Sequence, residues 1–195
     1  MSPRRRLIIF LTIAVGLVLL LVLIFGIGGD NNQKKTDKPA ANTPAVLTDY
    51  ITPDSKMVLT IDGTINGDDI HRSIRITVDH NDRELEVIQG YQNNVIQRNT
   101  FINNMNAYDS FVHALQRTGF GKVRKTNDTD IRGVCATGQR YTFEVYDDGK
   151  NVSRTWSATC TKGTSMAMSP QVLALFKAQI TGYGELTKTV NLAAL

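Results

Sequence analysis

Histidine, cysteine and tryptophan are scarce in this chain: three, two and one among 195 residues. No histidine follows His113, which excludes the Ser–acid–His order of an α/β-hydrolase. Gly163-Thr164-Ser165-Met166-Ala167 therefore imitates a nucleophile elbow only superficially. H-E-x-x-H and C-x-x-C are both missing, which removes zincin and thioredoxin-type chemistry. Gly133 to Gly138 has the glycine spacing of a phosphate loop, but Gln139-Arg140 stands where Lys-Ser/Thr is required. EF-hand spacing is missing too. Asp62, Asp68, Asp69 and His71 form the densest set of metal-ligand types, yet Asn66-Gly67-Asp68-Asp69 is an ordinary turn composition. His80 stands beside the turn Asn81-Asp82, and His113 lies off an apolar helix face. No catalytic, cofactor or metal residue is assigned on these grounds.

A concentrated basic surface is also lacking. The formal charge of +4 arises from 22 basic and 18 acidic residues, and Arg4, Arg5 and Arg6 supply most of it. The remainder is nearly neutral, which does not indicate a nucleic-acid partner.

Charge disappears altogether between Arg6 and Asp30. Leu7 to Ile27 is built mainly of Leu, Ile, Val and Phe. As a helix it spans roughly 31 Å at about 1.5 Å per residue, the thickness of a bilayer's hydrocarbon core. The run is longer than the apolar region of a cleaved signal peptide, and Gly26-Ile27-Gly28 is a poor cleavage pattern. A single-pass, uncleaved anchor is expected at 7–27, with residues 1–6 as its cytoplasmic basic flank and the rest outside. Residues 28–56 read as a disordered tether with Gly28-Gly29, Asn31-Asn32, Lys34-Lys35 and prolines 39, 44 and 53. Its patch from Ala45 to Ile51 has the composition to dock on a domain.

From 57 to 183 the composition is that of a folded extracytoplasmic domain, followed by a tail at 184–195. Val58–Ile65, Ile74–Val78, Leu85 and Val87, and Val95–Phe101 alternate apolar with polar residues and are joined by Asn/Asp/Gly turns. They predict an antiparallel meander. A helix capped by Asn106 follows, with Tyr108, Phe111, Val112 and Leu115 on one face and Gly119 at its end. Tyr141, Phe143 and Val145 form one face of the next strand, and Asp147-Asp148-Gly149-Lys150 turns it. Val152, Arg154, Trp156, Ala158 and Cys160 share the parity of the return strand. Trp156 is therefore expected in the core, with Arg154 as a conflict. Glu84, Glu86 and Glu144 are expected on solvent faces. Ser169-Pro170 opens a second helix carrying Val172, Leu173, Phe176 and Ile180, closed by Gly182. The fold class is α+β: an antiparallel sheet domain with two packed helices. Glu86-Val87, Asn94-Val95 and Thr118-Gly119-Phe120 correspond to Glu144-Val145, Asn151-Val152 and Thr181-Gly182-Tyr183, a pattern compatible with two ββα units.

Two cysteines in one domain of an oxidising compartment predict a Cys135–Cys160 disulfide. Reflection about Asp148-Gly149 places Cys160 opposite about Thr137, near enough to Cys135 if Gly138 permits a bend.

Asp62-Gly63, His71-Arg72-Ser73-Ile74-Arg75-Ile76, Gly90-Tyr91, Gly133-Val134-Cys135-Ala136-Thr137-Gly138 and Trp156-Ser157-Ala158-Thr159-Cys160 occur together here. In these the chain resembles a group of uncharacterised membrane-anchored proteins from ultrasmall, host-dependent bacteria. The resemblance implies a cell-envelope setting and no particular activity. The expected role is an envelope binding or structural module, with the membrane and an envelope protein or glycan as partners and no cofactor. The alternatives are a small cell-wall-acting enzyme and a minor-pilin-like component.

Overall fold

The computed structural model describes residues 46–193. The expected anchor at 7–27, its basic flank and the tether up to residue 45 lie outside them. Among the described residues no helix is long and apolar enough to cross a membrane.

Six strands form one sheet: β1 (Ser55–Asp62), β2 (Arg72–Val78), β3 (Asp82–Gln89), β4 (Asn94–Ile102), β5 (Arg140–Asp147) and β6 (Lys150–Ala158). Their spatial order is β4-β3-β2-β1-β5-β6, and every neighbouring pair is antiparallel. Two hairpins turn tightly. Asp79 Oδ1 accepts from the amides of Asn81 and Asp82, both at 2.8 Å, between β2 and β3. Asp148 and Gly149 take φ of +48° and +72° between β5 and β6, the pair of positive values that a type I′ turn requires.

Alternation along the strands sends Met57, Leu59, Ile61, Ile74, Ile76, Val78, Leu85, Val87, Phe143 and Val145 to one buried face. Helices α1 (Met105–Arg117) and α2 (Ser169–Gln179) contribute the opposing core residues. The expected stripe of Tyr108, Phe111, Val112 and Leu115 is buried, as are Val172, Phe176 and Ile180. Each such side chain contributes about 1.5–3 kcal/mol on burial. Phe111 meets Phe176 edge-on at 5.1 Å, and Phe120 meets Phe143 at 5.8 Å. The architecture is thus α+β, a six-stranded antiparallel sheet with two packed helices.

Several boundaries differ from expectation. The cap of α1 is Asn104, whose side chain accepts from the Ala107 amide at 3.0 Å; Asn106 lies inside the first turn. Met168 precedes α2, and the Ser169 hydroxyl bonds that of Ser157 instead of capping. The folded unit also extends past both expected bounds. Leu47, in a 3₁₀ turn Leu47–Tyr50, is fully buried in the core. Beyond residue 183 the chain forms a short helix α3 (Tyr183–Thr187) and returns to the sheet, where Leu192 accepts from the Thr64 amide at 3.2 Å. These ends carry few large apolar groups, so composition alone did not separate them from linker.

A β-bulge at Val145/Tyr146 leaves Val152 without a partner and moves the β6 register by one. Thr155 therefore lies across from Phe143, and Ser153 from Val145. Arg154 and Trp156 move to the opposite face. A single inserted residue reverses the side-chain parity of everything beyond it. Trp156 is buried as expected, but on the face opposite Val152 and the helices, and the same shift resolves the conflict posed by Arg154. A second bulge sits at Val87/Ile88 in the other edge hairpin.

Candidate binding cleft on the open face of the sheet

The face away from α1 and α2 is polar, and register aligns its residues in rows. One row crosses all six strands: Arg98, Glu86, Arg75, Thr60, Thr142 and Trp156. The row beside it runs Ser73, Asp62, Arg140 and Ala158. Glu86 was expected at a solvent face, yet it is only 4% exposed. Arg75 and Arg98 flank it at 3.2 and 2.5 Å and cover its carboxylate. Glu86, then Glu84, in turn push the Arg98 guanidinium further toward its charged form. Glu144 is largely covered as well, accepting from Asn151 Nδ2 at 3.1 Å with Arg154 Nε at 3.6 Å.

Asp62 anchors a buried charge cluster at the end of β1. One oxygen receives His71 Nε2 at 2.8 Å. The other receives Arg140 through Nε at 2.9 Å and through a terminal nitrogen, which also donates to the Gly63 carbonyl at 2.8 Å. His71 Nδ1 faces the Thr64 carbonyl oxygen at 3.0 Å. Both ring nitrogens are thus engaged, one by a carboxylate and one by a backbone carbonyl. Its ring stacks on Tyr91 at 4.1 Å with 15° between the planes. Neither ring-nitrogen contact is with a hydroxyl that His71 could activate. Of the four metal-ligand candidates only Asp62 and His71 come together. Asp68 Oδ1 instead accepts from the Tyr91 amide at 2.8 Å. No group of three or more His, Cys, Asp or Glu positioned to hold a metal ion occurs among the described residues.

The segment from Val123 to Gln139 arches over this face. The Cys135–Cys160 disulfide, with Cα atoms 5.9 Å apart, ties it to the end of β6. The bridge was legible in the sequence, but Cys160 lies beyond the end of β6, not on it, and is exposed. A turn from Cys135 to Gly138 supplies the required bend, with the Gly138 amide donating to the Cys135 carbonyl at 2.9 Å. A β-carbon on Gly138 would lie 2.1 Å from Thr159 Oγ1, so a side chain there would displace the hydroxyl that accepts from the Gln139 amide. Three further bonds hold the arch down: Trp156 Nε1 donates to Thr129 O at 3.2 Å, Arg124 N to Thr164 O at 2.7 Å, and Ile65 N to Ala136 O at 2.8 Å. Trp156 is thus buried by loops, and it fastens them to the sheet.

Two adjoining hollows remain beneath the arch. One, of about 680 Å³, has Thr60 and Thr142 on its floor and Asp62, Arg75, Tyr91, Arg140, Glu144 and Arg154 around it. The other, of about 1310 Å³, lies against Trp156, Arg124, Lys125, Asp130 and Thr164. Ile131, Arg132 and Arg154 line both. Hydrogen bonds from Arg132 hold the Asp130 carboxyl down at about 2. Sequence reasoning missed this cleft, because no local motif encodes it. Its one legible trace was Arg154 in a strand that otherwise looked buried.

Compared with known proteins, the chain matches no family model and no curated protein.

Proposed function

We propose that this protein is a single-pass, membrane-anchored binding module of the cell envelope, with residues 7–27 as the anchor, the N-terminus cytoplasmic and the sheet domain outside. Its two edge hairpins, each followed by a helix, are read as two ββα units framing β1 and β2. The observation that carries the binding role is the one-sidedness of the sheet. Helices cover one face, while a disulfide-tied arch covers the other and leaves hollows of about 680 and 1310 Å³ lined by charged side chains. A face kept only for stability would gain more from apolar packing than from ion pairs. Concave, partly preformed sites with a few convergent polar groups are the usual form of ligand sites. The disulfide supports an oxidising compartment, and the apolar run Leu7–Ile27 supports the anchor.

The test uses the full chain in its own cells, with a photo-cross-linking amino acid at Ile131 in the arch and a control at Lys188 in the C-terminal segment. Adducts with an envelope component from Ile131, and none from Lys188, are expected. Equal labelling from both positions, or protection of the domain from external protease until cells are lysed, would overturn the reading.

A further inference from the structure

The joined hollows have a charge bias that the domain as a whole lacks. Residues 46–193 carry sixteen Lys and Arg and sixteen Asp and Glu, a net charge of zero. The two hollows together are lined by six basic residues against Asp62, Asp130 and Glu144. Positive charge has been collected under the arch at the expense of the rest of the surface. We infer that the cleft binds an anionic glycan, a sugar chain bearing carboxylate or phosphodiester groups; this rests on the binding role proposed above.

The cations there are unequally engaged. Arg140 is engaged by Asp62 and Gly63, and Arg75 by Glu86 and Asn93. Arg154 has one long contact of 3.6 Å to Glu144, and its side chain is 62% exposed. Arg124 Nε is buried and has no hydrogen-bond partner among the described residues. Neither Arg124 nor Lys125 has a carboxylate within 4.0 Å among the described residues. These donors are spare, and guanidinium forks match carboxylate and phosphate oxygens. All three line the larger hollow, and Arg154 borders the smaller one as well; several donors in one cleft suit a chain with repeated charges better than a single small anion. Tyr91 supplies a platform: one ring face lies on His71, and the residue is 53% exposed beside Arg75. Thr60 and Thr142 place hydroxyls on the floor for sugar hydroxyls. Tyr91 is the one aromatic among the large exposed hydrophobics, so the interleaved stacking platforms of a single-strand nucleic-acid site are not present among the described residues.

The experiment titrates the full chain in neutral detergent with four probes: oligogalacturonate, poly(glycerol phosphate), neutral dextran and oligodeoxythymidylate. Binding to one or both anionic glycans, weakening with added salt, is expected. The carboxylate and phosphodiester arms identify which charge the cleft prefers. The double variant Lys125→Gln/Arg154→Gln should weaken binding at least tenfold, whereas Lys150→Gln/Lys188→Gln, which removes the same charge elsewhere, should change it less than twofold. As a measurement on the unaltered chain, bound glycan should protect Lys125 from amine acylation severalfold over Lys150. Equal affinity for dextran, equal losses in the two double variants, unprotected Lys125, or tighter binding of the oligodeoxythymidylate would each overturn the anionic-glycan assignment. If glycan binding fails while Ile131 still cross-links specifically in cells, only the ligand class falls. If both fail, the binding role falls with it.

Discussion

Gly163 packs its α-carbon onto Trp156: an added β-carbon would stand 2.4 Å from the indole Cε3 and 2.5 Å from the Trp156 carbonyl oxygen. Its φ of +54° is itself a left-handed value. The Ser165 amide bonds that same carbonyl at 2.9 Å, and Thr164 Oγ1 accepts from the Trp156 amide at 3.0 Å. Gly163→Ala must therefore shift the backbone on both sides. A loss of about 3 kcal/mol is expected in urea unfolding, from overpacking plus a strained dihedral. A loss under about 0.5 kcal/mol, the range of an ordinary surface change, would contradict this packing.

The disulfide closes a loop with a sequence separation of 25 that starts within the arch and takes in its last stretch, from Cys135 to Gln139. Cys135→Ser should lower stability by about 3 kcal/mol. It should also raise hydrogen exchange in residues 124–139 before it does so in the strands, because the arch rests on few other bonds. Non-reducing peptide maps of the unaltered chain should contain the joined 135–160 peptide; two alkylatable thiols in native protein would sink the claim.

Asp62 is the shared partner of Arg140 and His71, whose side chains are 5% and 2% exposed. Asp62→Asn leaves the buried Arg140 guanidinium without its carboxylate and disturbs the His71 Nε2 contact. A cost of about 3–5 kcal/mol is expected, as for breaking a buried ion pair from one side. Arg154→Gln, at an exposed site in the same cleft, should cost under about 1 kcal/mol. Similar costs for the two variants would mean that the Asp62 cluster is far better solvated than its geometry indicates.

Tyr108 is fully buried in the helix-facing core, and burial pushes its phenol up to about 12 from an ordinary value of 10. The Tyr108 hydroxyl meets Ser55 Oγ at 2.8 Å and lies 3.4 Å from the Tyr50 carbonyl oxygen. The folded state holds the phenolic proton more tightly than the unfolded state. The corresponding stability is complete below pH 10 and is lost as pH rises through 10 to 12. Tyr108→Phe should cost about 1 kcal/mol at neutral pH for the lost hydrogen bond. The stability difference between the unaltered chain and the variant should shrink or reverse by pH 12; a difference constant from pH 8 to 12 would contradict the buried phenol.

The strands, both helices, the helix-facing stripe and the disulfide were legible because each is encoded locally. Ile74, Ile76 and Val78 alternate, Tyr108 to Leu115 follow the helical period, and Asp148-Gly149 names its turn. What was not legible depends on contacts distant in sequence. Glu86 is buried because Arg75 and Arg98 close over it from two neighbouring strands. Trp156 is buried by Thr129 and Gly163, which come from separate loops. Leu47 enters the core beside α1, from the patch whose composition suited docking, though nothing local fixed where it docks. The bulge at Val145/Tyr146 has no sequence signature of its own. Arg154 carried the only hint, as a charge on a face where the simple period put a core.

That bulge yields the last prediction. Val152 opposes no residue of β5, whereas Ser153, Arg154, Thr155 and Trp156 oppose Val145, Glu144, Phe143 and Thr142. Deleting Val152 removes the bulge and keeps all four of those pairs, so Arg154 and Trp156 stay on the cleft face. The expected cost is that of one partly buried valine and a lost bend, about 1–2 kcal/mol. Deleting Thr155 leaves no such escape. If the bulge persists, Trp156 faces Phe143 in the helix-covered core; if the bulge is consumed, Arg154 does. An unpaired guanidinium or a displaced indole there is expected to cost at least about 3 kcal/mol, and binding in the cleft should fall with it. Thermal melts of the two deletions decide the matter. A cooperative melt for the Val152 deletion and none for the Thr155 deletion is the outcome that this register requires, and the reverse order would place the extra residue elsewhere in β6.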